Sequence, residues 1–160
     1  MQGLAVIGNT KGYGMIAEAA MCMAMNIYHE ARNESTIGQI AVAQVVMNRV
    51  NDDRFPNTVC GVVEQGIYYK GKPVKHKCQF SWFCDGLPDT PKNKEAFEEA
   101  MDIGVMVMGG HFDSLFDGVT HYHADYVSPL WRQHKTFIVK INSHIFYRWD
   151  GWLIIYGTKK

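Results

Sequence analysis

The segment from Met15 to Ile27 is apolar over most of its length and has the residue spacing of a helix. Steps of three and four residues, taken backwards from Glu30, trace one stripe along that helix. The stripe runs through Ile27, Met23, Ala20 and Ile16. Because an apolar stripe packs against a core, the pattern predicts a central helix from Met15 to about Arg32. The rest of the chain has to be arranged around that helix.

Glu30 ends the apolar stripe, so its carboxyl group points towards the core. Burial disfavours the charged form of a carboxyl group and raises its pKa. A protonated glutamic acid in a cleft is the usual general acid for cleaving a glycosidic bond. The spacing alone leaves two interpretations open. Glu30 is either the acid of an active site or a charge without a role where the helix frays into solvent.

The charge balance excludes several classes of partner. The chain has 160 residues, and its 16 Lys and Arg residues match its 16 Asp and Glu residues. A neutral chain offers no electrostatic case for nucleic acid or for an anionic membrane.

The length suits a single domain, and no apolar run is long enough to span a bilayer. The first 14 residues lack the pattern of a secretory signal, so we expect synthesis in the cytoplasm.

The four cysteines, Cys22, Cys60, Cys78 and Cys84, do not have the spacing of a paired zinc motif. Cys22 lies within the predicted central helix and is expected to be a buried thiol. Cys78 and Cys84 are close enough in sequence to close a small loop on oxidation. A reducing compartment disfavours such a disulfide, so the sequence favours free thiols over a structural Cys78–Cys84 pair.

Two further helices are predicted before residue 66. Thr36 and Gln39 fit a capping box, and the apolar spacing that follows predicts a second helix that ends near Val50. A short third helix is predicted over residues 58–65. Polar residues and Phe55-Pro56 separate the two helices.

The second half of the chain mixes helix and strand. Residues 66–91 are predicted as a long irregular loop, a kind of segment that often carries function. Thr90-Pro91 predicts the start of a fourth helix, which Gly109-Gly110 ends. Alternating apolar residues over 137–147, interrupted by Asn142-Ser143, predict a small hairpin. The expected fold class is therefore α+β, mainly α, with a small β-hairpin near the C-terminus.

The absence of several well-known catalytic motifs leaves few types of chemistry open. The sequence contains no glycine-rich phosphate loop, no GxSxG elbow, no HExxH and no EF-hand loop. Acid–base catalysis by carboxyl groups and a histidine-rich metal site remain.

Several other motifs occur in a fixed order. They are His29-Glu30-Ala31-Arg32-Asn33-Glu34, residues 38–50, Phe55-Pro56-Asn57-Thr58, Gln79-Phe80-Ser81-Trp82, Thr120-His121-Tyr122-His123 and Ser128-Pro129-Leu130-Trp131. Together they resemble the SleB/CwlJ-type cell wall hydrolases, which are spore-cortex-lytic enzymes and their relatives in bacteria and phages. The resemblance covers residues 15–148 and leaves residues 1–14 as an N-terminal arm and residues 149–160 as a C-terminal tail. The family commonly has glycine in place of His29, so His29 either tunes Glu30 or lies on the outer face.

The resemblance implies a lysozyme-like single domain that cleaves the bond between N-acetylmuramic acid and N-acetylglucosamine in peptidoglycan. It implies Glu30 as the acid and a lytic transglycosylase reaction, in which the muramic C6 hydroxyl attacks its own anomeric carbon. One carboxyl group is enough for this route, and neither a cofactor nor a metal is implied. A muramidase-like hydrolysis would need a second group to position water, for which Glu34, Asp85 and Asp125 are candidates.

The same resemblance suggests residues that contact the substrate. The candidates are Gln79, Ser81, Trp82, Thr120, His121, Tyr122 and Glu34. Gln79 and Ser81 would bind acetamido groups or orient Glu30, while Trp82 and Tyr122 would stack on sugar faces. Ordinary core packing of the two aromatic residues, and an exposed helix-end charge for Glu34, are the competing interpretations.

Two other functions stay open. A zinc-dependent N-acetylmuramoyl-L-alanine amidase would use His121 and His123, with His76, His29 or Glu30 as a further ligand. Both histidine rings would point the same way only on a strand. The third possibility is a non-catalytic phage structural or wall-binding domain. We expect a monomer that acts at the bacterial wall after release, as a phage lysin or a virion-associated enzyme.

Overall fold

A computed structural model of the chain describes residues 10–151. The helices are α1 (Thr10–Ala31), α2 (Thr36–Val50), α3 (Val59–Val63) and α4 (Lys94–Met108). The strands are β1 (Gly66–Tyr69), β2 (Lys72–Cys78), β3 (Val119–Ala124), β4 (Thr136–Ile141) and β5 (His144–Arg148), and 3-10 turns cover Ser81–Cys84 and Leu130–His134. The predicted class, α+β and mainly α, is confirmed. Residues 10–14 of the predicted N-terminal arm belong to α1. The rest of the arm (residues 1–9) and residues 152–160 of the predicted tail lie outside the described residues.

The predicted helix from Met15 is confirmed and begins earlier, at Thr10, but only its second half is central and buried. Met23 and Ile27 are fully buried and pack against α2, α3 and α4. Gly104 of α4 allows this close packing, because an added Cβ would lie 3.0 Å from Cγ of Met23. The predicted burial of the first half was wrong, since Met15 and Ile16 are exposed. α1 has 22 residues, whereas α2 and α4 have 15 each. The first half of α1 therefore extends beyond the helices that cover its second half.

The two predicted helix caps are each displaced along the chain. Ser35, not Thr36, caps α2, and its side-chain oxygen accepts a hydrogen bond from the Gly38 N–H. Gln39 does not complete a capping box, because its amide donates to the Glu34 carbonyl oxygen at 3.2 Å. Asn93, rather than Thr90, caps α4. Both caps are side chains whose oxygen accepts from the first helical turn, so the chemistry of the caps was predicted correctly and their positions were not.

Residues 66–91 contain a β-hairpin that was predicted as irregular loop. Strands β1 and β2 pair antiparallel around a turn at Lys70 and Gly71, which both have positive φ angles of 49° and 77°. All four β1 residues are exposed. The alternation of buried and exposed positions that predicts a strand is therefore missing.

Two disulfides correct the prediction of free thiols. Cys22 bonds to Cys60 and ties α1 to α3, so Cys22 is not a buried thiol. Cys78 bonds to Cys84 and ties β2 to the following 3-10 turn. The Cα–Cα distances of 5.3 and 6.1 Å lie within the range of natural disulfides. The prediction for Cys78 and Cys84 was wrong because it rested on the expected compartment. The prediction for Cys22 was wrong because the sequence does not show that Cys60 lies next to it in the fold.

The predicted C-terminal hairpin is confirmed as β4 and β5. β5 pairs with both neighbours in the antiparallel order β3–β5–β4. Val119 and Phe146 of this sheet are fully buried against α2. Asn48 of α2 donates hydrogen bonds to the carbonyl oxygens of Phe116 and Val119, which anchors the start of β3. This packing places β3 beside the C-terminal end of α1.

Within residues 10–151, no helix combines the length and the apolar character that crossing a membrane requires.

Candidate functional site

Glu30 lies in the last turn of α1, where its side chain is half-buried. Burial raises the pKa of its carboxyl group from 4.5 to about 6, which is the direction that the apolar stripe predicts. Tyr122 and Arg49 oppose this rise because both favour the carboxylate. Glu30 therefore has a pKa near the range in which a general acid operates at neutral pH.

Arg49 is a buried cation on α2 that the sequence analysis did not select. Its Nε donates to the Thr120 carbonyl oxygen at 2.7 Å, and its guanidinium lies over the rings of Phe55 and Phe80 at 4.9 and 5.5 Å. Burial lowers its pKa to about 10, so it stays positively charged at neutral pH. Its signal in the sequence was that it is the one charged residue of α2.

Tyr122 projects from β3 towards Glu30. Its hydroxyl group is buried, and although it lies close enough to Glu30 to affect both pKa values, the pair does not form a well-aligned hydrogen bond. Burial and the Glu30 charge raise the pKa of Tyr122, so it remains protonated. The ring packs on Phe146 at 5.4 Å. Tyr122 is thus a core aromatic whose hydroxyl is available as a donor at the site.

Two adjacent cavities open beside Glu30. The first, of about 290 Å³, is lined by Glu30 itself together with residues of β3, β5 and the turn before β5. The second, of about 220 Å³, is lined by Trp82 and by residues of the loop that follows it. His29 and Arg32 line both cavities. The two cavities therefore adjoin at these two residues, and we call the pair of cavities the Glu30 groove.

His29 builds the wall between the two cavities. Its ring stacks on Trp82, with centroids 4.6 Å apart and planes 14° from parallel. Its Nε2 lies 2.8 Å from the Asp89 carbonyl oxygen, and Trp82 Nε1 donates to Asn26 at 2.9 Å. These contacts hold Trp82 in a fixed orientation. His29 therefore does not lie on the outer face of α1, and its side chain contacts Trp82 and Asp89 of the second cavity.

Glu34 lies in the same cavity as Glu30. Its side chain is only 9% exposed, accepts a hydrogen bond from the Ser143 hydroxyl, and has the His144 Nδ1 atom 3.2 Å away. The interpretation of Glu34 as an exposed helix-end charge is therefore wrong. Of the other candidates for a second carboxyl group, Asp85 lines the second cavity and Asp125 forms a surface ion pair with Lys140 at 3.2 Å.

Comparison with known proteins agrees with the sequence motifs. The family model described as Cell Wall Hydrolase matches residues 33–147, which is more than half of the chain. The chain belongs to the cell wall hydrolase family. The resemblance predicted from the ordered motifs is thus confirmed. Because the match begins three residues after Glu30, the interest in that residue rests on its surroundings in the fold.

Several curated relatives are spore cortex-lytic enzymes. That of Bacillus subtilis (strain 168) is 29% identical over 142 residues, which cover 89% of this chain and 41% of the relative. That of Bacillus cereus is 31% identical over 124 residues, which cover 78% of this chain and 42% of the relative. The chain therefore spans about two fifths of the length of the curated relatives it matches.

Solved structures of catalytic domains show the same fold. The catalytic domain of the germination-specific lytic transglycosylase SleB from Bacillus anthracis matches with a TM-score of 0.56 and 28% identity, covering 81% of this chain and 93% of that chain. The catalytic domain of the Bacillus cereus SleB protein also has a TM-score of 0.56, with 27% identity, and covers 82% and 91% of the two chains. The single-domain architecture of this cell wall hydrolase agrees with both.

Two of the predicted substrate contacts lie outside the groove. Gln79 and Ser81 are exposed, and neither lines the two cavities. The backbone N–H of Gln79 donates to the Gln65 carbonyl oxygen at 2.8 Å. In this cell wall hydrolase the two residues flank Phe80, which is buried in the core.

Thr120 and His121 lie behind the groove. Thr120 is buried, and its hydroxyl lies 2.9 Å from Nδ1 of His121. Burial, with the nearby Arg49 charge, lowers the pKa of His121 to about 3, so the imidazole is neutral. Its ring packs between Trp131 and Trp149 at 5.3 and 5.7 Å. Neither residue lines the two cavities, and their link to Glu30 is through Arg49.

The histidines of β3 do not assemble a metal site in the described part of the chain. His121 and His123 do lie on a strand, as two adjacent ligands would require. Nε2 of His123, however, lies 2.8 Å from the Tyr147 hydroxyl, and its Nδ1 lies 2.7 Å from the Ala124 carbonyl oxygen. Among residues 10–151 no group of three His, Cys, Asp or Glu side chains has the arrangement of metal ligands.

Proposed function

We propose that this cell wall hydrolase cleaves the bond between N-acetylmuramic acid and N-acetylglucosamine as a lytic transglycosylase, with Glu30 as general acid and base. The observation that carries the proposal is the carboxyl group with a pKa of about 6, placed in a groove in front of a buried arginine. The names of the relatives, a germination-specific lytic transglycosylase and spore cortex-lytic enzymes, support the same reaction class.

In the first step, protonated Glu30 donates its proton to the glycosidic oxygen. The leaving sugar departs with the bond electrons, and the muramic residue passes through an oxocarbenium-like state. Glu30 is then a carboxylate. The charge of Arg49 stabilises this carboxylate, and the Tyr122 hydroxyl is a donor beside it. Both interactions grow in strength as the proton leaves, which is the requirement for stabilising a transition state.

In the second step, the muramic C6 hydroxyl attacks the anomeric carbon. The Glu30 carboxylate accepts the hydroxyl proton and is restored to its acid form. The product carries a 1,6-anhydro ring, and no water is consumed. Arg49 acts through Glu30 as a positioning residue, while Trp82, held by His29, lines the second cavity and contributes apolar surface for a pyranose ring.

Hydrolysis is the second candidate reaction, and the position of Glu34 is the observation that favours it. Glu34 shares the cavity of Glu30 and has two polar neighbours, Ser143 and His144. A carboxylate held in this way can orient a water molecule for attack on the anomeric carbon. We assign Glu34 to substrate or water binding in the groove. For Gln79 and Ser81 a binding role remains a prediction.

Product analysis tests the proposal. Purified peptidoglycan is digested with the wild type, Glu30→Gln and Glu34→Gln, and the products are analysed by mass spectrometry. We expect anhydromuropeptides from the wild type and from Glu34→Gln, and none from Glu30→Gln. New reducing ends that disappear in Glu34→Gln would indicate hydrolysis instead. Free N-terminal alanine, abolished by a chelator, would contradict the glycosidic reaction and favour an amidase.

A further inference from the structure

The β1–β2 hairpin is a local concentration of positive charge in a chain of zero net charge. We call residues 66–78 the basic hairpin. It carries four exposed lysines and no acidic residue. The lysines are Lys70, Lys72, Lys75 and Lys77. None of them has a carboxylate within 4.0 Å among the described residues, whereas Lys94 and Lys140 elsewhere on the surface are both paired.

The basic hairpin also carries exposed apolar and aromatic side chains. Ile67 and Tyr69 are 60% and 68% exposed. Tyr69 pairs with Lys72 across the ladder, and Lys70 Nζ lies 5.4 Å from the Tyr69 ring centroid. Exposed aromatic and cationic groups side by side suit a ligand that combines sugar or peptide surface with negative charge.

The basic hairpin is attached firmly to the wall of the Glu30 groove. The Cys78–Cys84 disulfide links its second strand to the 3-10 turn that carries Trp82. Lys75 packs across the next loop, because an added Cβ at Gly86 would lie 2.9 Å from Lys75 Cε. On its first strand, the Tyr68 hydroxyl donates to the Glu64 carbonyl oxygen at 2.7 Å. The charged surface therefore lies beside the end of the groove that Trp82 forms.

We propose that the basic hairpin is a second binding surface of this enzyme, which holds the carboxylates of peptidoglycan stem peptides while a glycan strand occupies the groove. The proposal rests on the proposed function for its choice of substrate. Charge complementarity selects the partner, since unpaired lysines attract a polyanion and the stem peptides supply free carboxylates along the same strand. Screening limits this attraction to about 10 Å at 0.1 M salt, so the carboxylates must lie next to the hairpin.

The test compares two double variants, each of which removes two positive charges. The hairpin pair is Lys72→Gln with Lys77→Gln, and the control pair is Lys94→Gln with Lys140→Gln. Lys70 is left in place because of its positive φ angle, and Lys75 because of its packing on Gly86. Binding to insoluble peptidoglycan is measured by co-sedimentation, with Glu30→Gln present in every protein to prevent digestion.

We expect the hairpin pair to weaken binding by about threefold to tenfold at low salt, and the control pair by less than twofold. On peptidoglycan whose carboxylates have been amidated, the hairpin pair should bind as well as the control. An equal loss for both pairs, or a loss that persists on the amidated material, would overturn the proposal. The proposal would also be overturned if the hairpin pair bound peptidoglycan as the wild type does but no longer bound vesicles of anionic lipid. That result would indicate that the hairpin binds a membrane surface.

A separate measurement distinguishes this proposal from the proposed function. Glycan strands stripped of their stem peptides are digested by the hairpin pair with Glu30 intact. We expect the cleavage rate of the wild type, because these strands carry no carboxylates for the hairpin. Loss of cleavage only in the hairpin pair would contradict an independent binding surface. Absence of glycan cleavage in the wild type would contradict the proposed function, while the co-sedimentation result would still decide the role of the hairpin.

Discussion

Glu30 and Glu34 lie one helical turn apart in sequence and line the same cavity, yet their surroundings differ. Glu30 faces a buried arginine and a buried tyrosine hydroxyl, and burial raises its pKa to about 6. Glu34 instead accepts a hydrogen bond from Ser143 and lies beside His144. Two carboxyl groups in different environments take different tasks. We therefore propose proton transfer for Glu30 and binding for Glu34.

The strongest test of this difference compares the peptidoglycan cleavage rates of two variants, one at each glutamate. We expect Glu30→Gln to lose about 10²- to 10⁴-fold in cleavage rate, because glutamine cannot donate the proton. Glu34→Gln should lose less than about tenfold, because an amide keeps hydrogen-bonding capacity towards a ligand. Both are measured as the release of soluble fragments from peptidoglycan. Similar losses in the two variants would remove the distinction between them.

The second test concerns the cation behind Glu30. Arg49 favours the Glu30 carboxylate and so holds the pKa down. In Arg49→Met we expect a higher pKa for Glu30, so the fall in activity on the alkaline side moves to higher pH. The loss of a buried charged partner should also cost about 3 kcal/mol in the free energy of unfolding.

Arg49→Lys is the matched control, because it keeps the charge and changes the shape. Its pH profile should resemble that of the wild type, although it loses the stacking on Phe55 and Phe80. A profile shifted equally in both variants would contradict an electrostatic role for Arg49.

The third test uses stability instead of activity. The pKa of Glu30 is about 6 in the folded protein and 4.5 as the reference value, so folding favours the protonated form. This contribution is fully present below pH 4.5 and is lost as the pH rises through 6. Relative to Glu30→Gln, the wild type should therefore lose about 2 kcal/mol between pH 4 and pH 7.

Urea denaturation of both proteins at the two pH values measures this difference. Glu34→Gln serves as the comparison, since it leaves Glu30 in place and should keep the pH dependence of the wild type. A difference between wild type and Glu30→Gln that does not change with pH would show that Glu30 is not desolvated.

Local patterns in the sequence predicted the parts of the fold that depend on local spacing. In the second half of α1 the spacing matches a buried stripe, and in α2 the predicted stripe of Ile40, Ala43 and Val46 is buried, although α2 is also buried on its other side. In the β4–β5 hairpin the alternation of apolar residues and the turn at Asn142-Ser143 matched the pairing of the strands. Glu30 was found in this way because it continues the stripe of Ile27 and Met23.

The remaining features depend on contacts between distant residues. Arg49 is part of the site only because α2 packs next to β3, and the burial of Glu34 comes from Ser143 and His144, more than 100 positions later. The β1–β2 hairpin escaped prediction because neither strand buries a face. Contacts between distant residues leave no periodic pattern in the sequence. The sequence could therefore point to candidate residues but not to the side chains that surround them.

The turn at Lys70 and Gly71 has a practical consequence. An added Cβ at Gly71 would meet no atom within 4 Å, while the base of the hairpin is fixed by the Cys78–Cys84 bond and the hydrogen bond from Tyr68 to Glu64. A free tip on a fixed base is the kind of site that tolerates insertions. Short peptides with affinity for other surface polymers could be grafted there to retarget the enzyme to a different bacterium, with its cleavage chemistry unaltered.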